Sequence, residues 1–224
     1  RYVAETQSWL NESKTSGYRV DFLSKLQPIE VGNFTKSKIN YFPYVSKTYN
    51  SVTGFNENKV GAEIFVNTGT GKQINLTLNP DFGQAESDEV IVNFSAQETF
   101  YSEKRAFFNE NQSLFDLSHY DRYRVINTRR IGAKSSYDCG NSIDEDECNN
   151  AKKSYTDIDF ALRYTQKNLN SDLGVFVAQE SDESFTRGKN FYAVRSKTKV
   201  NNRSIGYFLT HVVDNFTNEK ATVN

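Results

Sequence analysis

Two carboxylates, Glu98 and Glu103, stand close together in "QETFYSEKRAFFNENQSLF", in the company of Tyr101, Lys104, Arg105, Phe107 and Phe108. A carboxylate pair among rings is the equipment of a glycosidase, in which one acid protonates the leaving oxygen and the other serves as base or nucleophile. Spacing along the chain does not fix the separation of the two groups. The same residues therefore also read as ion pairs with Lys104 and Arg105, enclosed by rings, and charges enclosed in that way are structural before they are catalytic. Arg129 and Arg130 in "NTRRIG" offer a seat for an anionic ligand or partners for the acidic cluster, and the second reading is the stronger. His119 and His211 are far apart and lie beside no Ser or Cys nucleophile motif, so they read as surface or interface histidines. The glycines of "NTGTGK" lack the GxxxxGK[ST] spacing of a phosphate loop and are explained by a hairpin turn.

Cys139 and Cys148 are the only two cysteines, and they flank a polar, acidic loop. Such a pair reads as a disulfide in an oxidising compartment. Asp138, Asp144, Asp146 and Glu147 would offer oxygen ligands to Ca2+, but their spacing is not that of an EF-hand loop. Zinc would need further Cys or His nearby. The expectation is a disulfide and no cofactor, with Ca2+ at 138–147 the lesser alternative.

These residues need a scaffold, and composition narrows it. The chain has 224 residues, a formal net charge of −1, 14% aromatic residues (17 Phe, 13 Tyr) and only three prolines. Near-zero net charge gives no field for nucleic acid. Abundant rings argue against disorder and, with few prolines, for β structure. No run of about 18 apolar residues is present for a membrane helix, whereas a barrel strand needs only about 10 residues with one apolar side. With no signal peptide and no Met, the chain reads as an excerpt of a longer precursor. Seven N-x-S/T triplets, at Asn11, Asn33, Asn75, Asn93, Asn111, Asn202 and Asn215, are read as a product of Asn/Ser/Thr-rich composition rather than as glycan sites.

Alternation with period two begins at Lys38. "KINYFPYVSKTYN", "NKVGAEIFVN", "KQINLTLNP", "TDIDFALRYTQ", "DLGVFVAQE", "KNFYAVRSKTKV" and "SIGYFLTHVV" form a run of hairpin strands with alternating short and longer connections. Pro43 marks an edge or a bulge. Ile158, Phe160, Leu162 and Tyr164 are expected on one face. Asp157, Asp159, Arg163, Arg195, Lys197 and Lys199 are expected on the opposite, polar face. An apolar, ring-rich side set against a side carrying charges of both signs favours a barrel wall with a wet interior; a soluble β-sandwich is the alternative. Between these strands, "LNPDFGQAESDEVIVNFSAQETFYSEKRAFFNENQSLFD" (78–116) opens on an Asn-Pro-Asp turn and then abandons alternation.

That stretch, with "NTRRIG" at 127–132, resembles a poorly characterised bacterial outer-membrane family. In that family a carbohydrate-binding-like β-sandwich of family 9 type precedes a C-terminal β-barrel. The likeness covers about residues 38–213. Ser102 and Ala106 stand where the family has proline, and the loop at 138–150 looks like an insertion. The resemblance implies a bacterial outer-membrane location, lipid as a partner, and an absent upstream carbohydrate-binding-like domain of the same precursor. It also implies an oligosaccharide as ligand, with passage or surface capture of a solute as the role. The full expectation is an all-β antiparallel meander forming part of an outer-membrane β-barrel. Residues 1–37 would be a connector. Residues 38–224 would be the barrel segment, with a plug-like insertion at about 96–120 and a Cys-closed loop at 138–150. Glu98, Tyr101, Glu103, Lys104, Arg105, Phe107, Phe108, Arg129 and Arg130 would line the plug or bind ligand. The rivals are a soluble extracellular carbohydrate-binding β-module and a glycoside-hydrolase-associated protein.

Overall fold

The computed structural model describes residues 37–49, 51, 56–81, 103–110, 112–116, 118–119, 123–140, 145–153, 155–201 and 203–223. Glu98, Tyr101 and the proposed connector up to Lys36 lie outside the described residues.

Strand β1 (Lys38–Tyr49) is followed by β2 (Asn56–Asn67) and β3 (Lys72–Leu78). A long excursion then leaves the sheet. It holds helix α1 (Ala106–Asn109), helix α2 (Gln112–Phe115), the two-residue strands β4 (Ser118–His119) and β5 (Tyr123–Arg124), a 3-10 turn at Thr128–Arg130 and helix α3 (Glu145–Ala151). The chain returns as β6 (Ile158–Lys167), β7 (Ser171–Glu180), β8 (Lys189–Val200), β9 (Arg203–Asp214) and β10 (Glu219–Val223). The eight long strands make one antiparallel meander in the order β1-β2-β3-β6-β7-β8-β9-β10. Its outer strands, β1 and β10, are not paired with each other, so the sheet is open. The fold is all-β, and Pro43 sits in the edge strand β1, where a missing N–H costs little.

Connections at one end of the sheet are tight, at 68–71, 168–170 and 201–202. Gly69 and Gly71, with φ of 73° and 77°, supply the left-handed backbone that the first of these turns needs. The other end carries 50–55, 181–188, 215–218 and the excursion 79–157.

The two faces differ in a decisive way. Residues directly opposite across a ladder share a face. One row across seven strands is therefore Ile39, Val66, Ile74, Tyr164, Val175, Val194 and Leu209. The next is Tyr41, Ile64, Leu76, Leu162, Val177, Tyr192 and His211. No described element covers this side: Ile39 is 70% exposed, Tyr41 59% and Ile205 70%. The opposite side carries Asn75, Thr77, Arg163 and Thr165, all buried beneath the excursion. A sheet in a water-soluble layered protein buries its apolar side; here the polar side is covered and the apolar side bare.

One strand departs from simple alternation. The β6–β7 register shifts between Ile158 and Phe160. This bulge turns Ile158 into the covered core, at 2% exposure. It sends Asp159 to the surface, where its carboxylate accepts from Ser181 Oγ at 2.5 Å. The expectation that Ile158 joins the apolar row and Asp159 the polar face is thus reversed at this point, because a bulge shifts the facing of every residue before it.

Candidate functional site

The covered face and the excursion meet in one apolar core. Phe107, Phe108, Leu114, Phe115 and Ile131 pack on Ala161, Phe176, Ala178 and Ala193. Small side chains on β6, β7 and β8 leave the space that the rings fill. Gly174 is the tightest point: a Cβ there would lie 2.7 Å from Phe115 Cζ and 2.8 Å from Leu114 Cδ2. Phe108 and Phe115 meet Phe176 with ring centroids 6.0 and 6.2 Å apart. Full burial of each such ring contributes about 1.5–3 kcal/mol.

The excursion leaves the wall through the Asn-Pro-Asp turn. Asn79 takes a left-handed φ of 45°, a conformation its short amide side chain tolerates. Tyr44 on β1 donates to the Asn79 carbonyl and accepts from Asp81 N–H at 2.8 Å. Asn79 Nδ2 donates to the Val60 carbonyl at 2.7 Å. The turn is thereby bolted to β1 and β2.

Glu103 and Arg105 form the centre of the insertion. Arg105 donates from Nε and one terminal nitrogen to the two Glu103 oxygens, each at 2.8 Å. It also donates to the carbonyls of Ile131 at 2.7 Å and Thr128 at 2.6 Å. Thr128 Oγ1 donates to Glu103 at 2.6 Å. The guanidinium lies 4.2 Å from the Phe108 ring centroid, within cation–π range. Burial alone would raise the Glu103 pKa; the hydrogen bonds and charge of Arg105 outweigh it and hold the carboxyl below its usual range. Glu103 is therefore an ionised structural partner, with its side chain 0% exposed.

A second joint ties the insertion to the wall. Arg163 on β6 donates to the Phe107 carbonyl and, at 3.3 Å, to Glu110. Asn75 on β3 also donates to Glu110. A third joint is Glu180, whose two oxygens accept from Gly132 N–H at 2.8 Å and Lys189 N–H at 3.0 Å. Gly132 has φ +76° and lies so close to Thr156 and Ile158 that a Cβ would meet both at 3.2 Å.

Arg129 is half-buried and Arg130 exposed in the 3-10 turn. Within "NTRRIG", Asn127 Oδ1 accepts from Arg129 N–H at 3.2 Å, and the carbonyls of Thr128 and Ile131 receive Arg105. Lys104 is exposed. Glu103, Arg105, Phe107 and Phe108 are thus brought together, with Arg129 and Arg130 adjacent through Thr128. Sequence reasoning omitted Glu110, Asn75, Thr128 and Glu180 from the site. The presence of Glu110 in the same charged stretch was the available signal.

A recess between insertion and wall, bordered by Phe108, Phe115, Phe176, Asp116 and Arg163, holds about 20 Å³. That is room for a water and not for a sugar ring.

At the long-connection end, Lys153 Nζ bridges Asp157 (2.8 Å), Glu183 (3.0 Å) and Glu57 (3.6 Å), and Lys59 also pairs with Asp157. Burial opposes the charge on Lys153, but Asp157 and Glu183 overcome it and raise the pKa. Tyr155, half-buried and facing Glu57 and Asp157, is pushed up to about 12. Cys139 and Cys148 are bonded, with Cα atoms 5.7 Å apart. Asp138, offered as a Ca2+ ligand, accepts the Gly140 N–H at 3.0 Å; Asp144 lies outside the described residues. Among the described residues no group of three His, Cys, Asp or Glu side chains converges on a metal site. His211 bonds Thr222 Oγ1 at 2.7 Å on the apolar side of the sheet; the side chain of His119 lies outside the described set.

A family model described as a domain of unknown function (DUF5916) matches residues 35–218. No curated protein and no solved structure matches the chain.

Proposed function

The chain belongs to that family, and we propose that it forms part of a bacterial outer-membrane β-barrel whose interior is occupied by the excursion 79–157, acting as a plug in the passage of a solute. The observation that carries this reading is the inversion of the sheet. Two rows of Ile, Val, Leu and Tyr, the second closed by His211, run across seven strands with no described element over them, while Arg163, Asn75 and Thr77 are buried on the opposite side. Burying arginine and asparagine while leaving such a surface to water would be unfavourable, since an exposed apolar patch of this extent marks an interaction surface. Lipid hydrocarbon removes the difficulty, because lipid-facing and lumen-facing residues alternate in membrane barrels. Tight turns at one end and long connections at the other follow the same pattern. Edges left by β1 and β10 would be paired by further strands, as hydrocarbon cannot satisfy them.

Surface capture of a glycan is the lesser form of this proposal. It rests on the likeness to a family with a carbohydrate-binding-like upstream domain, which is an argument by analogy.

The test is depth labelling of the full chain in liposomes. The two native cysteines are joined to each other, so an introduced cysteine takes the label alone. An environment-sensitive dye at Val177→Cys should be quenched by spin-labelled lipid, and at Lys197→Cys by a water-soluble quencher. A Val177 dye that lipid-borne quenchers cannot reach would refute the membrane reading.

A further inference from the structure

The covered face changes character toward the tight-turn end. Arg195 stands in the row Lys38, Asn67, Gln73, Thr165, Gly174, Arg195. One step further out, Lys167, Asp172 and Lys197 are direct partners across three strands. Lys199 follows on β8, opposite Ser204. No register shift interrupts β8 between Arg195 and Lys199, so all three of its cations share the plug side, about 6.8 Å apart in turn. Arg195 fixes which side this is: it donates to the Asp116 carbonyl of the insertion at 3.3 Å and lies over the Phe208 ring. Among the described residues, the carboxylates at the tight-turn end of this side are Asp172 and Asp116. None of the five cations closes an ion pair among the described residues, and Lys38, Lys167 and Lys199 are exposed. The long-connection end is different, with Lys59, Lys153 and Lys189 each matched to carboxylates.

Resting on the barrel reading above, we propose that Lys38, Lys167, Arg195, Lys197 and Lys199 form a cationic belt inside the tight-turn mouth, so that the solute handled there is anionic, bearing carboxylate, sulfate or phosphate groups. Unpaired cations on a low-dielectric wall concentrate anions and exclude cations, as rings of Arg and Lys do in anion pores. Three charges at an even pitch along β8 suit a solute with negative groups at several points better than a single small ion.

The experiment places a neutral fluorophore on Ser204→Cys in the full chain, in liposomes with quenchers on both sides. It compares collisional quenching by iodide and by caesium. The ratio of iodide to caesium quenching should exceed that of the free dye about tenfold at low salt. It should fall toward the free-dye value near 1 M salt, where the screening length is about 3 Å. The double variant Lys197→Glu/Lys199→Glu should abolish or invert the preference, and the milder Lys199→Glu should reduce it if the double variant does not fold. A wild-type ratio equal to the free dye, or a preference that survives both variants, overturns the belt while leaving the barrel standing. A dye reached only by lipid-borne quencher overturns the barrel reading itself.

Discussion

Replacing Arg105 with methionine keeps an apolar stem over Phe108 and deletes four donated hydrogen bonds: two to Glu103 at 2.8 Å, one to Ile131 at 2.7 Å and one to Thr128 at 2.6 Å. The carboxylate left behind is fully enclosed. It keeps the Thr128 hydroxyl and the N–H of residue 105, at 3.0 Å, as donors. Removing one member of a buried pair costs about 3–5 kcal/mol, because the other charge is stranded. Local opening of the insertion should therefore become roughly 10³-fold more frequent, at 1.4 kcal/mol per factor of ten. Limited proteolysis in detergent reads this directly, since cleavage follows the open population when reclosing is fast. Cuts should fall within 103–135 while the strands stay intact. The pH dependence gives a second, sharper reading. In the wild type, Glu103 titrates below its unfolded value, so its contribution is complete above the unfolded pKa and is lost as pH falls through the folded one. In Arg105→Met the stranded carboxyl titrates above its unfolded value. Its contribution is then present below the unfolded pKa and lost as pH rises through the folded one. Mild acid should accordingly protect the variant and weaken the wild type. Equal protease resistance at neutral pH, or the same sign of acid response in both proteins, would refute this account of the clamp.

Gly174→Leu should cost about 1–3 kcal/mol of packing between sheet and insertion, since even a Cβ meets Leu114 and Phe115 below 3 Å. Hydrogen exchange would report it as lost protection in 103–116 with strands β6 and β7 unchanged. Reducing the Cys139–Cys148 bond, which spans a sequence separation of 9, removes roughly 2.5–3 kcal/mol by the chain-entropy relation. The expected result is faster exchange over 138–153 alone; exchange changes spreading to Phe107 and Phe176 would show that the loop supports the core.

The strands were legible because alternation is written residue by residue: "KNFYAVRSKTKV" is β8 from end to end, and "KQINLTL" is β3. The facing of Ile158 and Asp159 was not, because a bulge arises from how two strands fit together and leaves no mark in either one. β10 escaped notice for a different reason: "EKATV" is short, polar and exposed, with little alternation to detect. At the site, the main-chain carbonyls of Thr128 and Ile131 that receive Arg105 are not displayed by sequence. Glu180 and Gly132 are joined across 48 positions. Local pattern carries no information about such a pairing.

The way the excursion is attached has a consequence for protein engineering. Strands β3 and β6 are direct neighbours, and Asn79 N–H reaches the Asp159 carbonyl at 2.7 Å. The severed ends of the meander thus stand one hydrogen bond apart, as close as they would be in an ordinary hairpin. Everything between them is a cassette spliced into a single turn of the sheet. Its length is only weakly constrained by closure, because loop-closure entropy rises only slowly with length. The sheet and the cassette are therefore free to diverge at separate rates, one held to the register of its ladders and the other to the packing of its own rings and ion pair.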